Sequence, residues 1–529
     1  MEQPKLMAHA EPVTTNLQFA IRLSRSMLTV LVGKPFKVAL RCVICQKGSM
    51  NQPDVIYQKT GSMNRPGEEP PVHRLEEPLL GTNEPSTSKP LLVTMNTQTF
   101  EKAKEALGLG FASPLAGALV LANTLMGGSG VLCVPHAFSV AGYGLGLVLI
   151  VIFGSLSAFG SHLLQCSARH LSGAPCSFYS IASATIPRWT WLVDGAVAVK
   201  CFGVGCFFLI IVGDLAPDSL RFFGVQGVQR WHTVTGAFVI AGALTCMKNL
   251  SALRYTSVAS VLIVSWTCVL LVLFFANTDN SFDPCAASAG LEFVGNTTGQ
   301  RLPCNGADFE PVAVPSLLEL GRVLPVFIFG FTCQQNVLTV CNEVRQATQK
   351  RMDGIICVAY VFAGLGLTTS SFLGYATYGS MIQPNLLKGY PEDNAAVQLA
   401  RFSFAVLATL SYPLQAHPSR VSILALWSLV AGPAHLRGPS AERRRFKVIT
   451  AVWVLLSFVV ALTVTDLGIV LGIVGATGST MVSYILPGLV YRKAFLQPSM
   501  KRTLAGLQLL LGCVIMPLCL IMLFVPTSK

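Results

Sequence analysis

Charged residues are scarce in this chain: Asp, Glu, Lys and Arg make up 12% of its 529 residues, whereas hydrophobic residues make up 52%. A typical soluble domain has about 25% charged residues, so the shortage excludes an ordinary soluble protein. The net charge of +13 would suit nucleic acid, but the basic residues are spread between apolar runs instead of forming one basic face. We therefore expect a lipid bilayer as the surroundings, and no nucleic acid as a partner.

Catalytic signatures are missing as well. The chain has no HExxH, GxSxG or P-loop sequence, the patterns that indicate a zinc peptidase, a serine hydrolase or a nucleotide-binding enzyme. A Cys-x-x-Cys pair, Cys42 and Cys45, has no second pair of ligands of the kind a structural zinc site needs. An enzyme, a metal site and an organic cofactor are therefore not expected.

What the chain does have is a series of long apolar runs. About eleven of them reach or approach the roughly 20 residues needed to cross a bilayer as a helix, and the fourth is the weakest because it is short. They predict an all-α membrane protein with about 11 transmembrane helices within residues 111–529. The runs cover residues 114–141, 145–166, 190–214, 231–247, 255–276, 321–341, 354–378, 397–416, 447–464, 467–490 and 504–525.

The basic residues between these runs indicate an orientation. With the N-terminus in the cytoplasm, the cytoplasmic loops carry most of the Lys and Arg residues, as the bias toward cytoplasmic positive charge requires. The clearest case is the loop between spans eight and nine, with Arg443, Arg444, Arg445 and Lys447. The loop at 277–319 then lies on the lumenal or extracellular side.

That loop contains two cysteines, Cys285 and Cys304, and between them the glycosylation acceptor Asn296 of an Asn-Thr-Thr sequence. Disulfides and N-linked glycans both form on the side where the charge rule places the loop. We therefore expect a disulfide and a glycan here. The alternative for the cysteines is two unrelated thiols.

Residues 1–110 differ from the rest. They are rich in Pro, Ser, Thr and Asn and contain no spanning run, which predicts a disordered cytoplasmic tail. They indicate no particular protein partner.

The first span contains an interruption that a lipid-exposed helix should not have. Gly127, Gly128 and Gly130 lie in its middle, and Pro135 follows. Unwound backbone is tolerated at membrane depth only where it is buried in protein or lines a wet cavity, and an interrupted span is the best sequence indicator of a transporter's substrate site. The alternative is a close helix–helix contact, for which small residues also serve.

Several stretches give the chain a resemblance to a known family. The sequence GSGVLCVPHAF at 128–138 resembles the first helix of the amino acid/auxin permease family, which includes vacuolar amino acid transporters and sodium-coupled neutral amino acid transporters. The similarity runs in order from Leu115 to about Phe524. The third span contains the sequence Gly-Asp-Leu, which resembles the vacuolar branch of the family. The further matching stretches are KCFGVG at 200–205, LRYTS at 253–257, FIFGFTCQQN at 327–336, SYPL at 411–414 and HPSR at 417–420.

The resemblance implies the inverted-repeat (LeuT-like) transporter fold. Five spans are repeated as five more with an eleventh added, and spans one and six are broken near the middle of the membrane. It implies that the backbone of span one receives the substrate carboxylate at a helix N-terminus, while carbonyls and a hydroxyl of span six meet the substrate amino group. The substrate-binding residues implied are Thr124, Gly127, Gly128, Ser129, Gly130, Phe329, Gly330 and Thr332. For Phe329 and the neighbouring Phe331, lipid-facing or packing bulk is the alternative.

The coupling ion is left open between Na⁺ and H⁺. In sodium-coupled members of the family an asparagine in span one helps bind the ion, which implies Asn123 or, in its place, Thr124. A hydroxyl on span eight, Thr409 or Ser411, would be the second side chain that binds the ion. Proton coupling instead needs an ionisable group inside the membrane. The candidates for it are Asp214, Lys200, Asp466, Glu343 and His417.

Together these observations predict a secondary active transporter of amino acids by alternating access, driven by a proton or sodium gradient. An amino acid sensor that signals through the cytoplasmic tail is the alternative, and a channel is a third class. A vacuolar, lysosomal or other endomembrane location is favoured, with the plasma membrane as the other option. In both, the substrate is a small amino acid.

Overall fold

The structure, a computed structural model, describes residues 113–126, 130–171, 176–246, 254–276, 282–284, 310–313, 316–344, 346–431 and 439–525. Within these ranges the regular elements are helices, so the expected all-α class is confirmed. The tail at 1–110, Cys285, Cys304 and Asn296 lie outside the described residues, and the disulfide and the glycan therefore stay predictions.

The first half of the chain forms five spans. Span one is split into two helices that bend by 49° relative to each other. A short helix, α4, precedes span three. The helices are α1 (Pro114–Met126) and α2 (Gly130–Ala141) for span one, α3 (Tyr143–Leu171), α4 (Phe178–Thr185), α5 (Thr190–Phe222), α6 (Arg230–Thr245) and α7 (Arg254–Ala276).

The second half repeats this order and adds one helix. Span six is split like span one, and span ten contains a π-helical segment between two α-helices. The helices are α8 (Leu317–Gly330) and α9 (Gln334–Glu343) for span six, α10 (Gln349–Tyr378), α11 (Ala395–Ala431), α12 (Pro439–Thr463), α13 (Leu467–Val474) and α14 (Leu486–Ala494) for span ten, and α15 (Met500–Phe524).

The number of spans depends on one short helix. In the described part of the chain, nine helices are long and apolar enough to cross a membrane, and the pair α1–α2 makes ten. The expected fourth span is α6, which has only 16 residues, fewer than the roughly 20 of an untilted crossing. Counting it gives the eleven that the sequence predicts. Span eight is longer than expected, since α11 continues beyond residue 416 to Ala431.

Burial separates interior spans from lipid-facing ones. The most apolar stretch of span six is 83% buried, that of span ten 78% and that of span three 72%, whereas that of α15 is 22% buried. Spans three and eight, the third spans of the two halves, pack against each other along their lengths. Both halves thus begin with a broken span and contribute their third span to the centre, as the inverted-repeat fold requires.

Candidate functional site

The breaks in spans one and six lie against each other at Gly130 and Gly330. A Cβ atom added to Gly130 would lie 3.7 Å from the Cα of Gly330 and 3.0 Å from the backbone oxygen of Leu125. Glycine suits this position because an added methyl would be too close to the Leu125 backbone oxygen and to the Leu367 side chain, at 2.8 Å, while only touching Gly330. The structure thus brings together two of the predicted site residues from different halves of the chain. Gly127, Gly128 and Ser129 lie outside the described residues.

Span six is interrupted by three residues between α8 and α9. The N–H of Phe331 donates to the carbonyl of Ile328, and the N–H of Thr332 donates to that of Phe329 at 3.0 Å, so α8 ends in one tight turn. The carbonyl of Phe331 accepts instead from two side chains, Ser157 Oγ at 2.7 Å and Tyr360 OH at 3.2 Å. Side chains of spans two and seven therefore satisfy the backbone that the break leaves free.

Gln334, the first residue of α9, extends this arrangement. Its Nε2 donates to Ser157 Oγ at 2.9 Å, and its Oε1 accepts from the Cys333 N–H at 3.0 Å. Ser483 of span ten places its Oγ 2.8 Å from the same Oε1 and 3.1 Å from Thr332 Oγ1. We call Ser157, Ser161, Thr332, Cys333, Gln334, Tyr360 and Ser483 the span-six network; all of them are buried.

The predicted residues of span six occupy this region as follows. The hydroxyl of Thr332 donates to Ile328 O at 2.8 Å, so in this conformation it is held by the protein itself. The Phe329 ring packs on Phe207 at 6.1 Å between centroids, and the Phe331 ring stacks on Tyr360 at 6.5 Å. Both phenylalanines are buried inside the protein, which excludes the lipid-facing alternative and supports packing.

On span one, Thr124 connects to span six. The side-chain amide of Asn336 donates to Thr124 Oγ1 at 2.6 Å, which joins α1 to α9. The neighbouring Asn123 is buried and donates to Ser257 Oγ on span five at 3.2 Å. Polar side chains thus tie the half of span one that precedes its break to the half of span six that follows its break, and also to span five.

The predicted hydroxyls of span eight are not joined to Asn123 by any hydrogen bond in the described part of the chain. Thr409 donates to Ala405 O in its own helix at 2.9 Å. The Ser411 Oγ is buried and has no hydrogen-bond partner among the described residues. A hard cation needs about six oxygen ligands, and these contacts do not assemble such a set.

Four of the five candidates for proton coupling have ordinary structural roles or exposed positions. Asp214 pairs with Arg230 and lies 4.0 Å from the Nζ of Lys388. Asp466 caps α13 by accepting from the Gly468 N–H. Glu343 and His417 are exposed. The fifth, Lys200, is 2% exposed. Among the described residues, no three His, Cys, Asp or Glu side chains come together as a metal site would require.

Sequence reasoning missed the span-six network. Ser157 and Ser161 are four residues apart in an apolar span, so they lie on one face of α3. Polar residues on one face of a membrane helix normally face the protein interior, and this spacing was the available signal. Ser483 had no such signal, because its partners Thr332 and Gln334 lie 151 and 149 residues away in the chain.

Comparisons with known proteins find a matching family and several similar proteins. The family described as transmembrane amino acid transporter protein matches residues 111–528. The chain is 31% identical to vacuolar amino acid transporter 5 of Schizosaccharomyces pombe, over 78% of this chain and 94% of that protein. It is 27% identical to mouse sodium-coupled neutral amino acid transporter 7, over 72% of this chain and 79% of that protein. The solved structure of a nucleobase-cation-symport-1 family transporter aligns with a TM-score of 0.49 at 13% identity, over 78% of this chain and 90% of that one.

Proposed function

Since the chain belongs to the family of transmembrane amino acid transporters, we propose that it binds a small amino acid where the breaks of spans one and six meet and carries it by alternating access. The observation that supports this site is the contact between Gly130 and Gly330. Helix α2 begins at Gly130 and helix α8 ends at Gly330. A helix start attracts an anion and a helix end attracts a cation, so this pair of ends suits a zwitterion.

In this proposal the carboxylate of the substrate binds the N–H groups at the start of α2, including those of Gly127, Gly128, Ser129 and Gly130. The amino group binds carbonyls at the end of α8, around Phe329, Gly330 and Thr332. The Thr332 hydroxyl would have to leave Ile328 to take part. Thr124 contributes through its contact with Asn336, which couples α1 to α9.

Alternating access follows from how the broken spans are paired. Helices α1 and α9 are joined by Thr124 and Asn336, while α2 packs against α8. Each pair combines one half of span one with one half of span six, so each can close one side of the site as a unit. The transporters among the relatives support this hypothesis over the sensor and the channel.

For the energy source, we propose an ion gradient, with the proton favoured over sodium. One relative is described as sodium-coupled and another as vacuolar. The second favours an endomembrane location, and an acidic lumen would supply protons. The contacts of Asn123, Thr409 and Ser411 do not favour a sodium site in this conformation. With the loop at 277–319 on the lumenal side, a lumenal proton would drive the amino acid toward the cytoplasm.

The substitution Gly130→Ala tests the site. Its added methyl would lie 3.0 Å from the Leu125 backbone oxygen and 2.8 Å from the Leu367 side chain, so the backbone at the start of α2 would have to shift. We expect amino acid counterflow in proteoliposomes to fall at least about tenfold, by analogy with the cost of a small displacement at a reaction site. Protein yield and monodispersity should stay at the wild-type level.

Gly364→Ala is the matched control. It lies on span seven, where an added Cβ has no atom within 4 Å, and it should change counterflow by less than about twofold because it meets nothing. Wild-type counterflow by Gly130→Ala would contradict the proposed site. Conductance without saturation in the wild-type protein would instead favour a channel.

A further inference from the structure

Lys200 is a basic residue that is buried inside the protein and has no partner among the described residues. It lies on α5 in span three, 2% of its surface is exposed, and the helix continues for many residues on both sides of it. Its Nζ makes no hydrogen bond and no ion pair with any described residue. An ammonium group without an anionic partner is costly inside a membrane. A charge at this position must therefore be transient or be compensated when it forms.

Lys200 packs against the π-helical segment of span ten. A Cβ atom added to Gly478, in that segment, would lie 2.6 Å from Lys200 Cβ and 2.9 Å from the Ala196 carbonyl oxygen. Further along span ten, Ser483 bonds to Gln334 at the break of span six. Lys200 therefore contacts a span that is itself bonded to the break.

No acidic group among the described residues pairs with Lys200. On its own helix, Cys201 is adjacent, and Asp194 lies six residues earlier, about 9 Å along the axis. On span six, the ionisable residue in the break is Cys333, whose thiol donates to Tyr360 OH of span seven at 3.3 Å.

Spans eight and ten supply no anion either. Ser419 of span eight donates to the Ala198 carbonyl, so Ser419 lies close to the turn of α5 that contains Lys200. The ionisable residues within one helical turn of Ser419 are His417, which is exposed, and Arg420, which donates to the Thr245 carbonyl. On span ten, the ionisable residue after Gly478 is Tyr484.

We propose that Lys200 is the proton-binding group that couples amino acid transport to a pH gradient. The amine accepts one proton to become an ammonium when the carrier is open to the acidic side, and it releases that proton when the carrier is open to the other side. Since the ammonium finds no anion in the packed arrangement, protonation favours a state in which α5 separates from Gly478 and the amine gains polar partners. This inference rests on the proposed transport function and deepens its proton coupling.

Contacts through span ten explain how the two processes would be linked. Lys200 packs on Gly478, and Ser483, five residues further along span ten, belongs to the span-six network, so a shift of α5 changes the surroundings of the break. The break carries the proposed contacts to the substrate amino group. A ligand, here a proton, moves a conformational equilibrium only by binding one state better, and the unpaired burial of Lys200 provides that difference.

The test uses the full-length protein in liposomes, with two readouts for each variant. The first is counterflow of amino acid at equal pH on both sides, and the second is the stimulation of uptake by an imposed pH gradient, with proton movement followed by an enclosed pH dye. Lys200→Met removes the titratable amine and keeps the length of the side chain. Lys200→Arg keeps a cation that does not release its proton at these pH values. Lys350→Met is the control, because Lys350 is exposed.

For the wild type and Lys350→Met we expect the gradient to stimulate uptake severalfold. For whichever Lys200 variant still performs counterflow, we expect the stimulation ratio to fall to about 1 and the proton signal to disappear. Stimulation by the pH gradient that is retained in Lys200→Met or Lys200→Arg would overturn the inference. Loss of counterflow in both variants would also overturn it, because the amine would then be needed for transport itself and not only for its coupling to protons. A wild type that exchanges amino acids but ignores the pH gradient would overturn it too, while leaving amino acid transport intact. Loss of wild-type counterflow would refute the proposed function itself.

Discussion

The buried carbonyl of Phe331 has two donors, and removing both should cost more than the sum of the single losses. Ser157 Oγ donates at 2.7 Å and Tyr360 OH at 3.2 Å. With either donor removed, the carbonyl keeps one bond. Loss of the bond to this carbonyl should therefore lower the free energy of unfolding by about 1 kcal/mol in each of Ser157→Ala and Tyr360→Phe, the net value of a typical hydrogen bond, and loss of each hydroxyl's other bonds adds to that cost. In the double variant the buried carbonyl has no donor left, which adds about 1–3 kcal/mol to the loss of unfolding free energy.

The assay is equilibrium unfolding in mixed detergent micelles, analysed as a double-mutant cycle. The cycle cancels the contacts that Tyr360 makes elsewhere, such as the 2.9 Å bond with Ser161, and leaves the interaction between the two donors. Ser167→Ala is the control: Ser167 is buried on the same helix, but it donates to Leu163 O within that helix, and its loss should cost no more than about 1 kcal/mol. A double variant equal to the sum of the singles within about 0.5 kcal/mol would refute the reasoning.

Two further predictions concern residues named from the sequence. If the proton is the coupling ion, Asn123→Ala and Thr409→Ala should keep their response to a pH gradient in oriented liposomes; strict sodium dependence at constant pH, lost in both variants, would defeat this expectation. In the loop at 277–319, we expect Asn296→Gln to increase gel mobility by removing the predicted glycan. We also expect Cys285 and Cys304 to resist thiol labelling in unreduced, unfolded protein, as the predicted disulfide requires; such a link would stabilise a loop of this length by about 3 kcal/mol. Labelling of both cysteines would disprove the pairing.

The class of protein and the order of its spans could be read from the sequence alone. Apolar runs of membrane length and the basic loops between them are local features, and a membrane forces each such run into a helix because backbone groups cannot be left unbonded in lipid. The break in span one was visible for the same reason, since Gly127, Gly128 and Gly130 are neighbours in the chain. Short α6 and the extended α11 show where local hydropathy is a poor guide to helix ends.

The contacts that define the site were decided by the tertiary structure. Gly130 meets Gly330, Ser157 bonds to Phe331, and Ser483 reaches Gln334, and each of these pairs joins residues far apart in the chain. The sequence named Lys200 as one of five ionisable candidates. Only the packing showed that Asp214 has Arg230 as a partner while Lys200 has none among the described residues. Local composition determines which segments enter the membrane, whereas the partner of a buried polar group depends on which helices the fold places beside it.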